Sequence, residues 1–351
     1  MCYIFYEILT IEKINETMTD PSFTLACWDY DRTRAVLDGR AGVAGWCIDT
    51  TIATPGELFP LVVGEAPFDV TEMSLSSYLM QVDRRESAYV AIPAFVSRAF
   101  RHGGIYVREG AGIETPKDLE GRLVGVPEYQ MTMALWARGI LQDEYDVDFR
   151  TLRYRTGGNN KPGRRERLAL DLPDTMDVEP VPEGQTLNGL LVAGDLDAVI
   201  APTPPDAFSA GPNGPVRHLF ADPVAEEKDY FARTGLFPIM HVIGVRRTLA
   251  EANPGLAAKI FEAFKEARGL AIEEMERTAR ASANRLTLPW FADEWEATKA
   301  LMGPSPWPYG VTDNLNDLET AVRYAREQFL TGRELTVEEL FAPETLNLGS
   351  V

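Results

Sequence analysis

The chain has 351 residues, of which 45% are hydrophobic and 25% charged, the profile of a globular protein large enough for two domains. Its formal net charge of −19 argues against nucleic acid or an anionic membrane as a partner, because both repel an acidic surface. No apolar run reaches the roughly 20 residues of a membrane-spanning helix. An anionic ligand would need local cations, since the chain as a whole repels it.

The amino terminus differs from the rest of the chain. Residues 1–18 are predicted to be a disordered extension or a wrongly assigned start, because Met18 opens a more natural beginning. The apolar residues at the start lack a basic region and a small-residue cleavage site, so they make a poor export signal. Cys2, Cys27 and Cys47 have no metal-type spacing and fit free thiols in a reducing compartment. We therefore expect a cytoplasmic protein.

The first hundred residues alternate between short apolar strands and helices. Strands are predicted at 22–28, 45–52, 68–70, 88–95 and 104–108, with helices or turns at 29–37, from residue 55 and at 74–80. Such alternation is the pattern of an α/β sheet. Glu72 is placed in the turn between the third strand and the helix that begins at Ser74.

The stretch 68–80 is the first candidate for a ligand site. A helix that starts directly after a buried strand presents free N–H groups, and these favour an anion together with the helix dipole. Ser76 and Ser77 are candidate donors to a substrate carboxylate, although ordinary helix capping explains them equally well. Glu72 is a candidate catalytic base or, if burial raises its pKa, a candidate acid. The alternative for Glu72 is a carboxylate that only caps nearby N–H groups.

The stretch 113–126 marks the passage into a second lobe. It predicts a one-turn helix at 116–119, a tight turn at Gly121 and a buried strand at 123–126. Further strands are predicted at 149–155, 196–201, 218–220 and 236–245, and helices at 131–144, 184–194, 224–233, from 250 onward and at 318–329. Lobe 1 then comprises residues 19–112 and 230–351, and lobe 2 residues 113–229. In such α/β proteins the ligand lies in the cleft between the lobes.

The sequence segment 113–126 and the order of the lobes resemble those of type II periplasmic-binding-protein folds. A closer resemblance, to the 4,5-dihydroxyphthalate decarboxylase family, is carried by 68–78, 92–102, 125–129 and the strand that holds His241. It implies an α/β fold of two lobes, each a mixed sheet flanked by helices. It also implies an intracellular carboxy-lyase that converts 4,5-dihydroxyphthalate to protocatechuate and CO2.

Decarboxylation of such a ring has definite chemical needs. Protonation of the ring carbon that bears the leaving carboxylate gives a dearomatised intermediate, which loses CO2 without forming an aryl carbanion. The site therefore needs an acid near that carbon, a base near the catechol and cations on the other carboxylate. Each acid–base step contributes about 10²–10⁴-fold to the rate.

Since the hydroxylated ring is its own electron sink, we expect no cofactor. The three histidines are far apart in sequence, so we predict no metal site, although carboxylates alone can bind a divalent ion.

Histidines and arginines supply the remaining candidates. His241 is a candidate acid, since histidine needs no large pKa shift near neutral pH, with a core histidine as the alternative. His102 is a second catalytic candidate. Arg98 and Arg101 are candidate carboxylate-binding residues, because a guanidinium matches a carboxylate; surface ion pairs are the alternative. Arg155 is the arginine of lobe 2 that we expect to reach across the cleft.

Two further expectations concern lobe 2 and the class of function. Tyr129, at a helix start facing the cleft, is a candidate for binding a catechol hydroxyl, or it merely packs. The neighbouring arginines, among them Arg164, Arg165 and Arg167, are predicted to form a solvated face. The competing functions are a solute-binding protein that holds a small carboxylate unchanged, and another small-molecule enzyme on the same scaffold. The oligomeric state is left open, with a homo-oligomer as one alternative.

Overall fold

The computed structural model describes residues 20–208 and 214–349, so the predicted extension at 1–18 lies outside the described residues. The strands are β1 (Ser22–Cys27), β2 (Cys47–Ile52), β3 (Val70–Ser74), β4 (Tyr89–Arg98), β5 (Ile105–Arg108), β6 (Leu123–Val126), β7 (Arg153–Thr156), β8 (Val178–Pro180), β9 (Ala198–Ile200), β10 (Val216–His218) and β11 (Ile239–Arg246). The helices are α1 (Asp31–Leu37), α2 (Pro55–Val63), α3 (Leu75–Arg84), α4 (Thr132–Tyr145), α5 (Leu187–Ala193), α6 (Pro223–Thr234), α7 (Arg247–Ala252), α8 (Leu256–Ala279), α9 (Phe291–Met302) and α10 (Leu315–Glu327).

The first sheet forms the base of lobe 1. Its strands lie in the order β2–β1–β3–β11–β4. The pairs β1–β2 and β1–β3 are parallel, whereas β11 is antiparallel to both β3 and β4. All five residues of β3 are buried, as expected of a strand covered on both faces. The return strand β11 thus brings residues from late in the chain against β3.

The second sheet forms the base of lobe 2, in the order β10–β5–β9–β6–β7–β8. The strands β9, β6, β7 and β8 are parallel, and β5 is antiparallel to its neighbours. Two mixed sheets flanked by helices confirm the predicted α/β fold class. Because β5 lies in this sheet, we propose that lobe 2 begins near residue 103 rather than at the predicted 113.

Most predicted elements are present, with some differences. The strand predicted to end at Val70 instead runs from Val70 to Ser74, so Glu72 lies on a strand and not in a turn. The strand expected at 149–155 opens with a 3₁₀ turn and becomes β7 only at Arg153. The short strand β8 and the helix α9 were not predicted. Helix α9 was missed because the aromatic residues around Trp295 did not recur clearly at helical spacing in the sequence.

The long helix α8 closes lobe 1. Its buried residues recur at helical spacing, as the sequence predicted, and pack against α1 and β4: Leu256, Ile260, Phe261, Phe264 and Ala267. Burying one such large apolar side chain contributes about 1.5–3 kcal/mol. Within residues 20–208 and 214–349, no helix is both long and apolar enough to span a membrane.

Candidate active site

Glu72 lies at the centre of a hydrogen-bonded cluster in lobe 1. Its side chain is 0% exposed. The backbone N–H of Trp28 donates to Oε2 (2.9 Å), and the Tyr30 hydroxyl donates to Oε1 (2.7 Å). His241 Nδ1 lies 2.6 Å from the same Oε1. A buried carboxylate with three partners is well satisfied, because each replaces a lost water.

Sheet register explains why Glu72 and His241 meet. The antiparallel pairing of β11 with β3 sets Ile243 opposite Glu72 and His241 opposite Ser74. His241 is two residues from Ile243, so its side chain lies on the same face as Glu72 and within diagonal reach. The sheet thus joins two predicted site residues that are 169 positions apart in sequence.

The Glu72 carboxyl is ionised at neutral pH. Burial acts to raise its pKa, but the hydrogen bond and charge of His241 and the donors Trp28 and Tyr30 outweigh burial, so its pKa lies below the ordinary value. The candidate role as an acid with a raised pKa is therefore withdrawn. An ionised Glu72 instead fixes Nδ1 of His241 as the protonated nitrogen, which leaves Nε2 for exchange with a ligand.

His241 is a partly exposed member of the cluster. Its side chain is 17% exposed, whereas Glu72 is fully covered. Phe59 of α2 meets the His241 ring edge to face, with ring centroids 4.8 Å apart. Ser97 of β4 is its register partner on the other side. The imidazole is therefore held by contacts on three sides while part of it remains open.

Tyr30 belongs to the site and was not among the predicted residues. Burial and the Glu72 charge raise its pKa above the ordinary value, so its hydroxyl stays protonated. The Arg32 guanidinium lies 4.4 Å from the centre of its ring. A signal was available, because Tyr30 follows the carboxyl end of β1, where ligands of α/β sheets lie.

Ser76 and Ser77 do not form the predicted carboxylate site. The Ser76 hydroxyl donates to the Gln130 carbonyl, and its backbone N–H donates to Thr132 Oγ1 (3.0 Å). Ser77 is buried and its hydroxyl has no hydrogen-bond partner among the described residues. The start of α3 is thus covered by lobe 2, because Thr132 takes the place expected for an anion. We withdraw both serines from the proposed site.

Arg98 and Arg101 form no hydrogen bond or ion pair with Glu72 or His241 in the described part of the chain. Strand alternation directs Ser97 toward His241 and Arg98 to the opposite face. There the buried Arg98 donates to the Phe237 carbonyl (2.8 Å), pairs with Asp317 (3.3 Å) and bonds Asn314. Arg101 lies against Met240, with Nε 3.2 Å from the sulfur, and burial lowers its pKa to about 10. Both arginines support the fold around α10 and β11.

His102 is a buried core histidine, which corrects its place among the catalytic candidates. It packs against the rings of Tyr145, Phe220 and Tyr230, and neither ring nitrogen has a hydrogen-bond partner in the described part of the chain. Burial lowers its pKa to about 4, so His102 is neutral at pH 7.

We expect His102→Phe to leave kcat unchanged and to raise stability in mild acid. The unfolded chain takes up a proton at His102 below pH 6.5, whereas the folded protein resists it down to about pH 4. His102 therefore lowers stability as the pH falls through this window, and phenylalanine does not. Thermal unfolding at pH 5 and pH 8 checks this. A variant that gains no stability at pH 5 relative to pH 8 would contradict the assignment.

Tyr129 and Arg155 complete the set of predicted residues. Tyr129 is fully buried, and its hydroxyl donates to the Gln328 carbonyl (3.3 Å), so it packs instead of binding a catechol. Arg155 pairs with Asp177 (2.7 Å) and Glu179 (3.4 Å) at the outer strands of the second sheet. Neither side chain is available to a ligand. In residues 20–208 and 214–349, no group of three or more His, Cys, Asp or Glu side chains could hold a metal ion.

A cavity of about 600 Å³ opens between the two lobes. Pro55 and Pro60 of α2 line it from lobe 1, and the same helix carries Phe59, which touches His241. From lobe 2 the lining comes from Glu128, residues 158–162 and 164–167, and Thr203. The fold and site together define a two-lobed α/β protein in which helix α2 both contacts a carboxylate–imidazole pair and lines an interlobe cavity.

Comparison with known proteins gives the family. The chain is 37% identical over 329 residues to 4,5-dihydroxyphthalate decarboxylase of Comamonas testosteroni, covering 94% of this chain and 98% of that protein. It is 37% identical over 214 residues to the protein of the same name from Pseudomonas putida, covering 61% and 83%. The chain therefore belongs to the 4,5-dihydroxyphthalate decarboxylase family, whose members are carboxy-lyases. A scan against protein-family models found no match.

Solved structures with similar folds include periplasmic sulfonate-binding proteins. SsuA of Methylobacillus flagellatus is 13% identical with a TM-score of 0.49, covering 93% of each chain. SsuA of Escherichia coli is 14% identical with a TM-score of 0.47, covering 92% of each chain. Similarity at this level carries no information about what this chain binds.

Proposed function

We propose that this chain decarboxylates 4,5-dihydroxyphthalate to 3,4-dihydroxybenzoate (protocatechuate) and CO2. Family membership supports the substrate. The structural observation that carries the proposal is the 2.6 Å contact between the buried Glu72 carboxylate and Nδ1 of the partly exposed His241. A carboxylate in this position holds Nδ1–H and fixes the orientation of the imidazole, so that Nε2 can exchange a proton with a bound ring.

His241 acts as the acid in this proposal. Nε2–H of the imidazolium gives its proton to the ring carbon that bears the leaving carboxylate, and that carbon becomes tetrahedral. The bond from this carbon to the carboxylate then breaks, its electron pair restores the aromatic ring, and CO2 leaves. The hydroxyl para to that carbon donates electron density to the protonated ring throughout. His241 regains a proton from solvent through its exposed edge, so each turnover consumes one proton.

Glu72 and Tyr30 position this acid. The Glu72 carboxylate holds Nδ1 of His241. The Trp28 N–H and the Tyr30 hydroxyl donate to the two carboxylate oxygens of Glu72 and fix them in place. Tyr30 keeps its proton, so it acts as a donor to Glu72 and not as the base. Such an arrangement sets the ring orientation and tautomer of a histidine, as the carboxylate does in a catalytic triad.

Several parts of the sequence-based hypothesis stay predictions. The proposed reaction uses no cofactor. A cytoplasmic location and a homo-oligomer are two further predictions. The clamp of arginines and serines on the substrate carboxylates keeps its chemical purpose, but the Ser76 hydroxyl and Arg98 are engaged elsewhere, and the Ser77 hydroxyl is buried without a partner among the described residues.

Incubation of the purified protein with 4,5-dihydroxyphthalate tests the proposed function. We expect release of CO2, followed by mass spectrometry, and equimolar 3,4-dihydroxybenzoate, followed by ultraviolet absorbance. Phthalate is the matched control, because without hydroxyls its ring cannot stabilise the protonated intermediate, and it should release no CO2. Calorimetric binding of 4,5-dihydroxyphthalate without CO2 release, both with and without added divalent metal, would favour the solute-binding alternative instead.

A further inference from the structure

Arg167 carries a buried charge that the protein only partly satisfies. Its side chain is 8% exposed, although the sequence placed it on a solvated face. Nε donates to Glu128 Oε2 (2.6 Å). Nη1 is buried and has no hydrogen-bond partner among residues 20–208 and 214–349. A guanidinium N–H that loses water without gaining an acceptor is costly, so this atom marks a place where an acceptor is missing.

The position of Arg167 relates it to the catalytic cluster. Arg167 lines the interlobe cavity, and its guanidinium carbon lies 5.4 Å from the centre of the Phe59 ring. Phe59 in turn contacts the His241 ring. One aromatic side chain of lobe 1 therefore touches both the proposed acid and the buried cation of lobe 2. Phe59 thus lies between the proposed acid and the cation that lines the cavity.

The cavity is locally cationic, in contrast to the whole chain. Its lining includes four basic residues (Lys161, Arg164, Arg165 and Arg167) and two acidic ones (Glu128 and Glu166). Glu128 is already held by Arg164 (2.7 Å) as well as by Arg167. This excess of positive charge meets the requirement for local cations that the net charge of −19 imposes on any anionic ligand.

A second unsatisfied atom lies in the same cavity and has the opposite polarity. Asn159 is 9% exposed, and its Oδ1 has no hydrogen-bond donor in the described part of the chain. Its Nδ2 donates to the Thr203 carbonyl (2.8 Å), which fixes the amide with the oxygen as its remaining group. The cavity thus offers one cationic donor and one neutral acceptor.

We propose that Arg167 binds the carboxylate that stays on the ring and that Asn159 Oδ1 accepts a hydrogen bond from a catechol hydroxyl. The inference rests on the proposed function and gives lobe 2 the task of recognising the substrate. A planar guanidinium suits a carboxylate, and an amide oxygen suits a phenolic hydroxyl. Lobe 1 supplies the acid, and lobe 2 holds the ring in the orientation that presents one carboxylate-bearing carbon to it.

Binding of two non-reacting ligands to three variants, measured by calorimetry, tests this subsite. Phthalate carries both carboxylates but no hydroxyl, and 3,4-dihydroxybenzoate carries one carboxylate and both hydroxyls. We expect Arg167→Gln to weaken both ligands about 10- to 100-fold, the usual effect of losing a hydrogen bond to a charged group. Asn159→Ala should weaken 3,4-dihydroxybenzoate about tenfold and leave phthalate unchanged. Arg155→Gln, in the same lobe but outside the cavity, is the control and should change neither.

Unchanged phthalate affinity in a folded Arg167→Gln protein would overturn the subsite. If that variant does not fold, Arg167→Lys keeps the charge and the Glu128 pair but loses the planar fork, and the same comparison applies. The result also separates the two proposals. If the chain releases CO2 from 4,5-dihydroxyphthalate but the Arg167→Gln substitution changes neither ligand affinity, the proposed function stands and the proposed subsite is wrong. If the substitution weakens ligand binding but the chain releases no CO2, the subsite stands and the proposed function is wrong.

Discussion

Replacing His241 with glutamine is expected to lower kcat for 4,5-dihydroxyphthalate by about 10²–10⁴-fold, the usual contribution of a positioned acid. Glutamine keeps most of the volume beside Phe59 but cannot give a proton to the ring carbon. KM should change little, because the proposed carboxylate contact lies on Arg167 of lobe 2. Steady-state kinetics on the purified variant measure both quantities.

The control for this variant is His102→Phe, which removes a histidine that lies outside the proposed site. Comparable losses of kcat in the two variants would mean that histidine replacement disturbs the fold in general. A His241→Gln enzyme that retains kcat within tenfold of the unmodified chain would contradict the role of His241 as the acid.

Replacing Glu72 with glutamine is expected to lower kcat by about 10²-fold or more, as removal of the carboxylate does in other histidine-based sites. The amide is similar in size but carries no charge, so it no longer fixes Nδ1 of His241 as the protonated nitrogen. KM should change little, because the proposed carboxylate contact lies on Arg167. Steady-state kinetics measure both quantities, and a loss of kcat smaller than tenfold would contradict the positioning role of Glu72.

The Glu72 substitution also has a stability effect with a definite sign. The pKa of Glu72 lies below its ordinary value because His241, Trp28 and Tyr30 outweigh burial. Its ionised form therefore stabilises the fold above the ordinary pKa of a glutamate, and this contribution is lost as the pH falls through the folded value.

Tyr30→Phe is the matched variant for the kinetic effect of Glu72→Gln, since it removes one donor to Glu72 but leaves the contact with His241. We expect it to lower kcat only about tenfold. An equal loss in Glu72→Gln and Tyr30→Phe would contradict the distinction.

The sequence contained enough information to place Glu72 and His241 among the candidates. Their chemistry and the order of strands were readable from local patterns. Their contact was not, because it depends on the register of β11 against β3, and register between distant strands is set by tertiary packing. The same limit explains why Glu72 was placed in a turn. The polar residues after Val70 favoured a turn locally, whereas burial on both faces of the sheet extends the strand to Ser74.

The arginines show where sequence reasoning failed. Arg98 and Arg101 were chosen because they cluster in sequence, yet Arg98 is buried against Asp317 and Arg101 Nε lies against the Met240 sulfur. Arg167 was placed on a solvated face because it stands in a run of arginines. Its burial depends on Glu128, 39 residues away, and no local pattern predicts that pair.

The most direct test of the central claim measures the carbon isotope effect on the leaving carboxylate in H2O and in D2O. In the proposed mechanism, His241 protonates the ring carbon before the bond to the carboxylate breaks. Deuterium then slows the first step and makes carbon–carbon cleavage less rate-limiting. The account therefore predicts a normal solvent isotope effect on kcat/KM and a smaller ¹³C effect in D2O. A ¹³C effect that is the same in both solvents, with no solvent effect on kcat/KM, would mean that CO2 leaves first and would contradict the account.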